Sequence, residues 1–257
     1  MPPRTARYAT GFLRALQLTA WILLLSWPAT AAAASCRPVI HQAARFTVCS
    51  VDLKTEDLRL FWRSGTGQPY RSTRALEGEL ATRGLRLAFA MNAGMFEADG
   101  APVGLYVEDG TRFRPANTAT GPGNFHLKPN GVFFWNGGRA GIFETGRFLK
   151  EKPAADFATQ SGPMLVIDGK LHPAFLADST SFKVRNGVGI ASDGEVVFAI
   201  SETAVTFHSF ATLFRDVLGC RNALFLDGSV SVLFTPERGH PAFASAIGPI
   251  VGVVSRN

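Results

Sequence analysis

Four of the chain's Asp-Gly or Asn-Gly pairs lie between short strand-like runs and constrain its fold more than any other feature. Asp109-Gly110 separates residues 103–108 from 111–113, and Asn136-Gly137-Gly138 separates 131–135 from 139–143. Asp168-Gly169 lies between 164–167 and 170–172, and Asp193-Gly194 between 187–192 and 195–201. The flanking runs are short and apolar or alternating. Such tight turns use residues that tolerate positive φ, and their twist suits antiparallel neighbours. Parallel strands need a crossover of a dozen residues or more. The chain therefore reads as a run of antiparallel hairpins. Uneven spacing of the turns argues against a solenoid or propeller repeat.

Two segments carry helix signals. Residues 72–82 open on a capping-type Ser72 and close at Gly84. In 207–218, Phe207, Phe210, Ala211, Phe214, Val217 and Leu218 fall on one face, and Gly219 stands where a helix stops. Those phenylalanines read as core. No Pro/Ser-rich linker divides the chain. The expected fold is one α+β domain over residues 36–257, a mostly antiparallel or mixed β-sheet with hairpins and a few packed helices. A 46% hydrophobic and 18% charged composition supports a packed core and excludes an intrinsically disordered chain.

The N-terminus predicts export. Arg4, Arg7 and Arg14 precede an apolar core at 16–27, followed by Ala29-Thr30-Ala31-Ala32-Ala33-Ala34-Ser35. Basic start, short apolar stretch and small-residue cleavage site are the parts of a secretory signal, here residues 1–34. The apolar core is shorter than the roughly 20 residues a spanning helix needs. No later stretch reaches that length, so no membrane span is expected in the mature chain, and a periplasmic or secreted location follows. The net charge of +6 loses three arginines with the signal, leaving 23 basic against 20 acidic side chains. That balance has no nucleic-acid footprint.

Three cysteines remain to be placed. An oxidising compartment allows a Cys36–Cys49 disulfide. Ala33-Ala34-Ser35-Cys36 also loosely resembles a lipoprotein box, though its usual leucine is missing; the disulfide is the preferred reading. Cys220 reads as a small buried hydrophobe.

Candidate site residues stand where apolar strands run into polar ones. Residues 85–91 lead into Asn92-Ala93-Gly94-Met95-Phe96, and 223–226 lead into Asp227-Gly228-Ser229. A buried strand fixes the direction of the residue just past it, and a glycine there lets chain or ligand approach closely. Asn92-Ala93-Gly94-Met95-Phe96, Ser161-Gly162-Pro163-Met164, Arg185-Asn186-Gly187-Val188-Gly189 and Leu226-Asp227-Gly228-Ser229 follow in this order. Together they resemble the motifs of the phosphodiester glycosidase family, over roughly residues 45–255 and nearest its bacterial periplasmic branch. Met95, Ser161 and Ser229 depart from the family's usual Phe, Gly and Gly, so the fold transfers better than the substrate.

The resemblance implies hydrolysis of a sugar-1-phosphodiester, with an N-acetylglucosamine-type sugar as the expected substrate. Glycosidic cleavage passes through an oxocarbenium-like transition state and commonly uses two carboxylates. A phosphodiester leaves as a stable anion, which shifts weight from acid assistance to cations and N–H donors that hold phosphate. Asp227 is the expected base or nucleophile and Glu202 the next carboxylate. Arg185 is the expected bidentate phosphate clamp. His126 and Lys128 alternate with apolar neighbours and are expected on one face. Asn92, His208, Ser161, Gly162, Gly228 and Ser229 complete the expected substrate-binding set. Glu97 and Asp99 read as loop acids, and His41, His172 and His240 as surface or turn residues.

No Gly-x-Ser-x-Gly elbow, His-Glu-x-x-His zinc signature, P-loop or dinucleotide fingerprint occurs. No cofactor is therefore expected, although Ca²⁺ or Mg²⁺ on scattered oxygen ligands stays open. The expected partner is a glycan or sugar-phosphate of the cell envelope. The alternative reading is a non-catalytic protein that binds such a ligand without turning it over.

Overall fold

A computed structural model of the chain describes Met1 and residues 34–228, 230–241 and 246–256. The expected signal segment lies outside the described residues apart from Met1 and Ala34, and so does Ser229. All described elements belong to the unit Ala31–Asn257.

The strands, in chain order, begin with β1 (Ser35–His41), β2 (Ala44–Val51), β3 (Asp57–Phe61), β4 (Leu85–Asn92), β5 (Tyr106–Glu108) and β6 (Thr111–Arg114). There follow β7 (Gly131–Asn136), β8 (Arg139–Glu144), β9 (Phe157–Ser161), β10 (Met164–Ile167) and β11 (Lys170–Leu171). The last are β12 (Asn186–Ile190), β13 (Val196–Ser201), β14 (Asn222–Phe225), β15 (Leu233–Phe234) and β16 (Ile250–Arg256). Three α-helices accompany them: α1 (Thr73–Thr82), α2 (Thr145–Glu151) and α3 (Phe207–Thr212). The strands form a seven-stranded sheet ordered β1-β2-β13-β12-β14-β10-β11, a four-stranded sheet β15-β4-β16-β3 and a five-stranded sheet β6-β5-β9-β7-β8. Every strand pairing in them is antiparallel. The fold is α+β, mostly antiparallel, as the turn signals imply.

All four signalled hairpins are present. Asp109 and Gly110 sit at φ 47° and 72° between β5 and β6, and Asp168 and Gly169 at 46° and 84° between β10 and β11. Two elements deviate at their ends. The strand expected from residue 103 begins only at Tyr106, because the Leu105 N–H is taken at 3.0 Å by the Gln160 side chain. The helix expected over 207–218 stops being α-helical at Thr212 and widens into a π-helical turn, Leu213–Val217. Phe210, Ala211, Thr212, Leu213 and Phe214 are all buried, a run of five that no single face of a regular helix can hold. Val217, expected on the inner face, is 45% exposed as a result.

Helix α1 is capped as expected: Ser72 Oγ accepts the Ala75 N–H at 3.1 Å. It lays Leu76 and Leu80 on the four-stranded sheet, each burial being worth roughly 1.5–3 kcal/mol. The largest apolar cluster joins side chains of all three sheets, Phe89, Phe133, Phe198 and Leu224 among them. Cys36 and Cys49 face one another across the β1–β2 ladder and form a disulfide. Among the described residues no helix is long and apolar enough to cross a membrane.

Candidate active site

Strand ends from all three sheets meet at one point. Asn92 closes β4, Ser161 closes β9, Asn186 opens β12, and Asp227 lies two residues past β14. Asn186 is fully buried and joins two of the others. Its Nδ2 donates to Asn92 Oδ1 at 2.8 Å, while its Oδ1 accepts the Asp227 N–H at 2.9 Å. Asn92 Oδ1 accepts a second bond from the Val232 N–H, 2.8 Å. Ser161 Oγ donates to the Leu226 carbonyl at 2.6 Å, and Ser231 Oγ to the Asp227 carbonyl at 3.1 Å. The backbone of residues 226–227 is thus pinned from three directions. Among the described residues, Asn92 Nδ2 is buried without a hydrogen-bond partner. An orphan buried amide costs free energy of order 1–3 kcal/mol, so its retention needs a reason.

Beside these residues lies a cleft of about 630 Å³, lined by Asp227, Glu97, Asn124, His126 and apolar neighbours such as Phe96 and Phe125. Asp227 is 7% exposed there. The wall carrying Asn124 and His126 is held from behind by a fully satisfied amide. Gln160 Oε1 accepts from the N–H groups of Leu105 (3.0 Å) and Asn117 (2.8 Å), and its Nε2 donates to the Asn117 carbonyl (2.8 Å) and Thr145 Oγ1 (3.2 Å). Asn130 Nδ2 donates to the Phe125 carbonyl at 2.9 Å. Gly162 makes room for this wall: a Cβ there would meet Asn130 Cβ at 2.6 Å and the Phe125 carbonyl oxygen at 2.9 Å. Gly228 is equally crowded, with Phe225 Cζ at 2.8 Å from where its Cβ would stand.

The expected residues sort themselves by this geometry. Asp227 and His126 line the cleft, whereas Asn92, Ser161, Gly162 and Gly228 stay outside its lining: Ser161 pins the Leu226 carbonyl, Asn92 bonds to Asn186, and the two glycines leave room for Asn130, Phe125 and Phe225. Lys128 does not line the cleft that His126 lines, although both side chains reach the 118–119 segment. Residues 124–126 form a single 3₁₀ turn, not a strand, and Lys128 Nζ donates to the Thr118 carbonyl at 2.5 Å. His126 Nδ1 makes a 3.1 Å hydrogen bond with the Ala119 carbonyl. His208, expected to bind substrate, lies in the first turn of α3, outside the cleft lining.

Glu202 needs a larger correction. Its carboxylate accepts both Arg238 nitrogens, at 2.7 and 3.1 Å, and the Thr47 hydroxyl at 2.6 Å. Those hydrogen bonds, Arg238 first, hold it below the usual carboxylate range. It does not line the Asp227 cleft; the second carboxylate there is Glu97, read from sequence as a loop acid. Glu97 sits on a tight loop closed by its own N–H bonding to the Ala101 carbonyl at 2.8 Å, with Arg71 Nη1 donating to the Ala98 carbonyl at 3.2 Å. Asp99 is the turn acid it was expected to be, its Oδ1 accepting the Ala101 N–H at 2.9 Å.

Arg185, the expected phosphate clamp, is 1% exposed and, like Glu202, does not line the Asp227 cleft. Nε donates to the Val205 carbonyl and Nη2 to the Ser181 carbonyl, both at 2.9 Å. Among the described residues no carboxylate pairs with it, and burial lowers its pKa to about 10. Two residues that matter here were not singled out from sequence. Asn186 stands inside the motif Arg185-Asn186-Gly187-Val188-Gly189, which carries its signal, whereas Gln160 has no local motif around it. Among the described residues, no group of three or more His, Cys, Asp or Glu side chains gathers to hold a metal ion.

The phosphodiester glycosidase family model matches residues 86–253, a span containing Asn92, Ser161, Arg185, Asn186 and Asp227, and the chain belongs to that family. It is 36% identical over 185 residues to the protein named "Uncharacterized protein YigE" of Escherichia coli K12, covering 72% of each chain. Its fold is similar to the zebrafish N-acetylglucosamine-1-phosphodiester alpha-N-acetylglucosaminidase catalytic domain auto-inhibited by its pro-peptide. That match has a TM-score of 0.60 at 14% identity, over 86% of this chain and 82% of the other. A hypothetical protein from Synechocystis matches with a TM-score of 0.56 at 14% identity, over 86% and 61%.

Proposed function

We propose that the chain is an exported hydrolase that cleaves a sugar-1-phosphodiester at the glycosyl–phosphate bond, giving free sugar and a phosphomonoester. Removal of residues 1–34 and a periplasmic or secreted location are part of this reading and rest on the sequence. An N-acetylglucosamine-type sugar is the favoured substrate class, by analogy with the zebrafish neighbour's name. One observation carries the reading: Asp227 lines the 630 Å³ cleft while its own N–H is fixed by buried Asn186.

In this reading Asp227 attacks the anomeric carbon or activates the water that does. Its backbone anchoring removes the freedom that would blunt either role. The phosphate departs as an anion, so Glu97, the second acid at hand, carries the smaller share and stabilising cations the larger. Arg185 and Asn92 stay outside the cleft lining and make no contact with substrate in this reading. Hydrolysis in heavy-oxygen water tests the bond assignment. Label recovered in the free sugar is the expected result. Label recovered in the phosphate would mean that the P–O bond is cut, and would exclude a glycosidase.

A further inference from the structure

The cleft is short of positive charge. Among the described residues lining it, Glu97 and Asp227 are acids, and His126 is the one side chain that can become a cation. Arg185 is buried outside that lining, and Lys128 is spent on the Thr118 carbonyl. The His126 ring is held on three sides. Its Nδ1 bonds to the Ala119 carbonyl at 3.1 Å, and a carbonyl only accepts, so Nδ1 carries a hydrogen. Gly121 lies against the ring: a Cβ there would stand 2.9 Å from Cδ2, 3.1 Å from Nε2 and 3.2 Å from Cγ. Phe125 meets it edge-on, with centroids 5.1 Å apart and planes at 77°. That leaves Nε2, which has no hydrogen-bond partner among the described residues. It is not one of the buried unpaired side-chain atoms either, so it reaches solvent.

A sugar-1-phosphodiester brings a further negative charge into this acidic cleft. When the bond from the anomeric carbon to oxygen breaks, its electron pair stays on the phosphate oxygen, and the leaving monoester gains a second charge. A donor already aimed at that oxygen lowers the barrier, because its bond strengthens as the charge develops. We propose that His126 receives the leaving phosphate, its Nε2–H bonding the oxygen released from the anomeric carbon and giving it a proton as the bond breaks. The imidazolium becomes neutral, and the monoester departs with a single charge. The water that ends on the anomeric carbon gives a proton to Asp227, and this proton returns through solvent to Nε2. The Ala119 carbonyl holds Nδ1–H, which makes Nε2 the nitrogen that transfers.

The proposal rests on the hydrolase reading, so binding and turnover are measured apart. Inorganic phosphate is titrated calorimetrically into the purified wild-type chain, His126→Gln and Lys128→Met, with unfolding temperatures recorded alongside. The kcat/KM of each is measured on an N-acetylglucosamine-1-phosphodiester. His126→Gln is expected to weaken phosphate binding about tenfold and to lower kcat/KM about a hundredfold. Lys128→Met cuts the neighbouring tie to the same loop, at Thr118, and is expected to keep both quantities within about twofold. Phosphate added to wild type is also expected to shift the nuclear magnetic resonance signals of the His126 ring, a reading that needs no variant to fold. Unmoved ring signals, wild-type behaviour in folded His126→Gln, or equal losses in the two variants would overturn the proposal. Phosphate binding that depends on His126 in a wild-type chain that cleaves no sugar-1-phosphodiester would uphold the phosphate contact and overturn the hydrolase reading.

Discussion

The two carboxylates named from sequence have opposite surroundings. Asp227 lies in the cleft with its N–H held by Asn186, whereas Glu202 is spent on Arg238 and Thr47 outside it. This contrast gives a paired prediction. Asn186→Leu, close in volume, should lower turnover about tenfold or more, because Asp227 loses its anchor and the Asn92 amide its partner. Glu202→Gln should leave turnover within about twofold, since a surface ion pair is worth about 1 kcal/mol or less. Rate assays on both variants check this, and equal losses would undo the distinction. The difference between the two acids was not legible in sequence. Both follow a buried apolar strand, and what separates them is Arg238, a partner 36 residues further along the chain. Glu97 escaped for the same reason: its loop is tied down by Arg71, 27 residues before Ala98.

At the scale of elements, the turn dipeptides carried most of the information. An Asp-Gly or Asn-Gly pair declares its geometry locally, so the four hairpins could be read without tertiary knowledge. The turn between β1 and β2 could not, because it places Gln42 and Ala43 at φ 48° and 60°, residues that seldom mark such a turn. Helix α3 passes into a π-helical turn for a tertiary reason too: a Cβ on Gly189 of β12 would lie 2.8 Å from Phe214, so the helix packs directly on that strand. The β5 hairpin also holds a testable titration. Burial raises the pKa of Glu108 above the ordinary glutamate value, against the hydrogen bond donated by the Tyr106 hydroxyl at 2.5 Å. A raised carboxylate binds its proton more tightly folded than unfolded. Its contribution is full below the unfolded value, about 4.3, and is lost as pH rises through the folded value. Glu108→Gln should therefore raise the unfolding temperature at pH 8 and leave it nearly unchanged at pH 3.5. Thermal melts at the two pH values check it, and a gain at the lower pH alone would contradict the sign.

On the scale of the whole molecule, the site exists because three sheets end at one place. No sheet supplies it alone: β4 brings Asn92, β9 brings Ser161, and β12 and β14 bring Asn186 and the approach to Asp227. The motifs were legible as strand ends, yet their meeting was not, since the bond joining Asn92 to Asn186 spans 94 residues of chain. The most direct measurement is the rate of free-sugar release from an N-acetylglucosamine-1-phosphodiester by the purified wild-type chain and by Asp227→Asn. The account predicts release by wild type and a loss of about a hundredfold or more in the variant, with the unfolding temperature preserved. Release at equal rates by both proteins would contradict it.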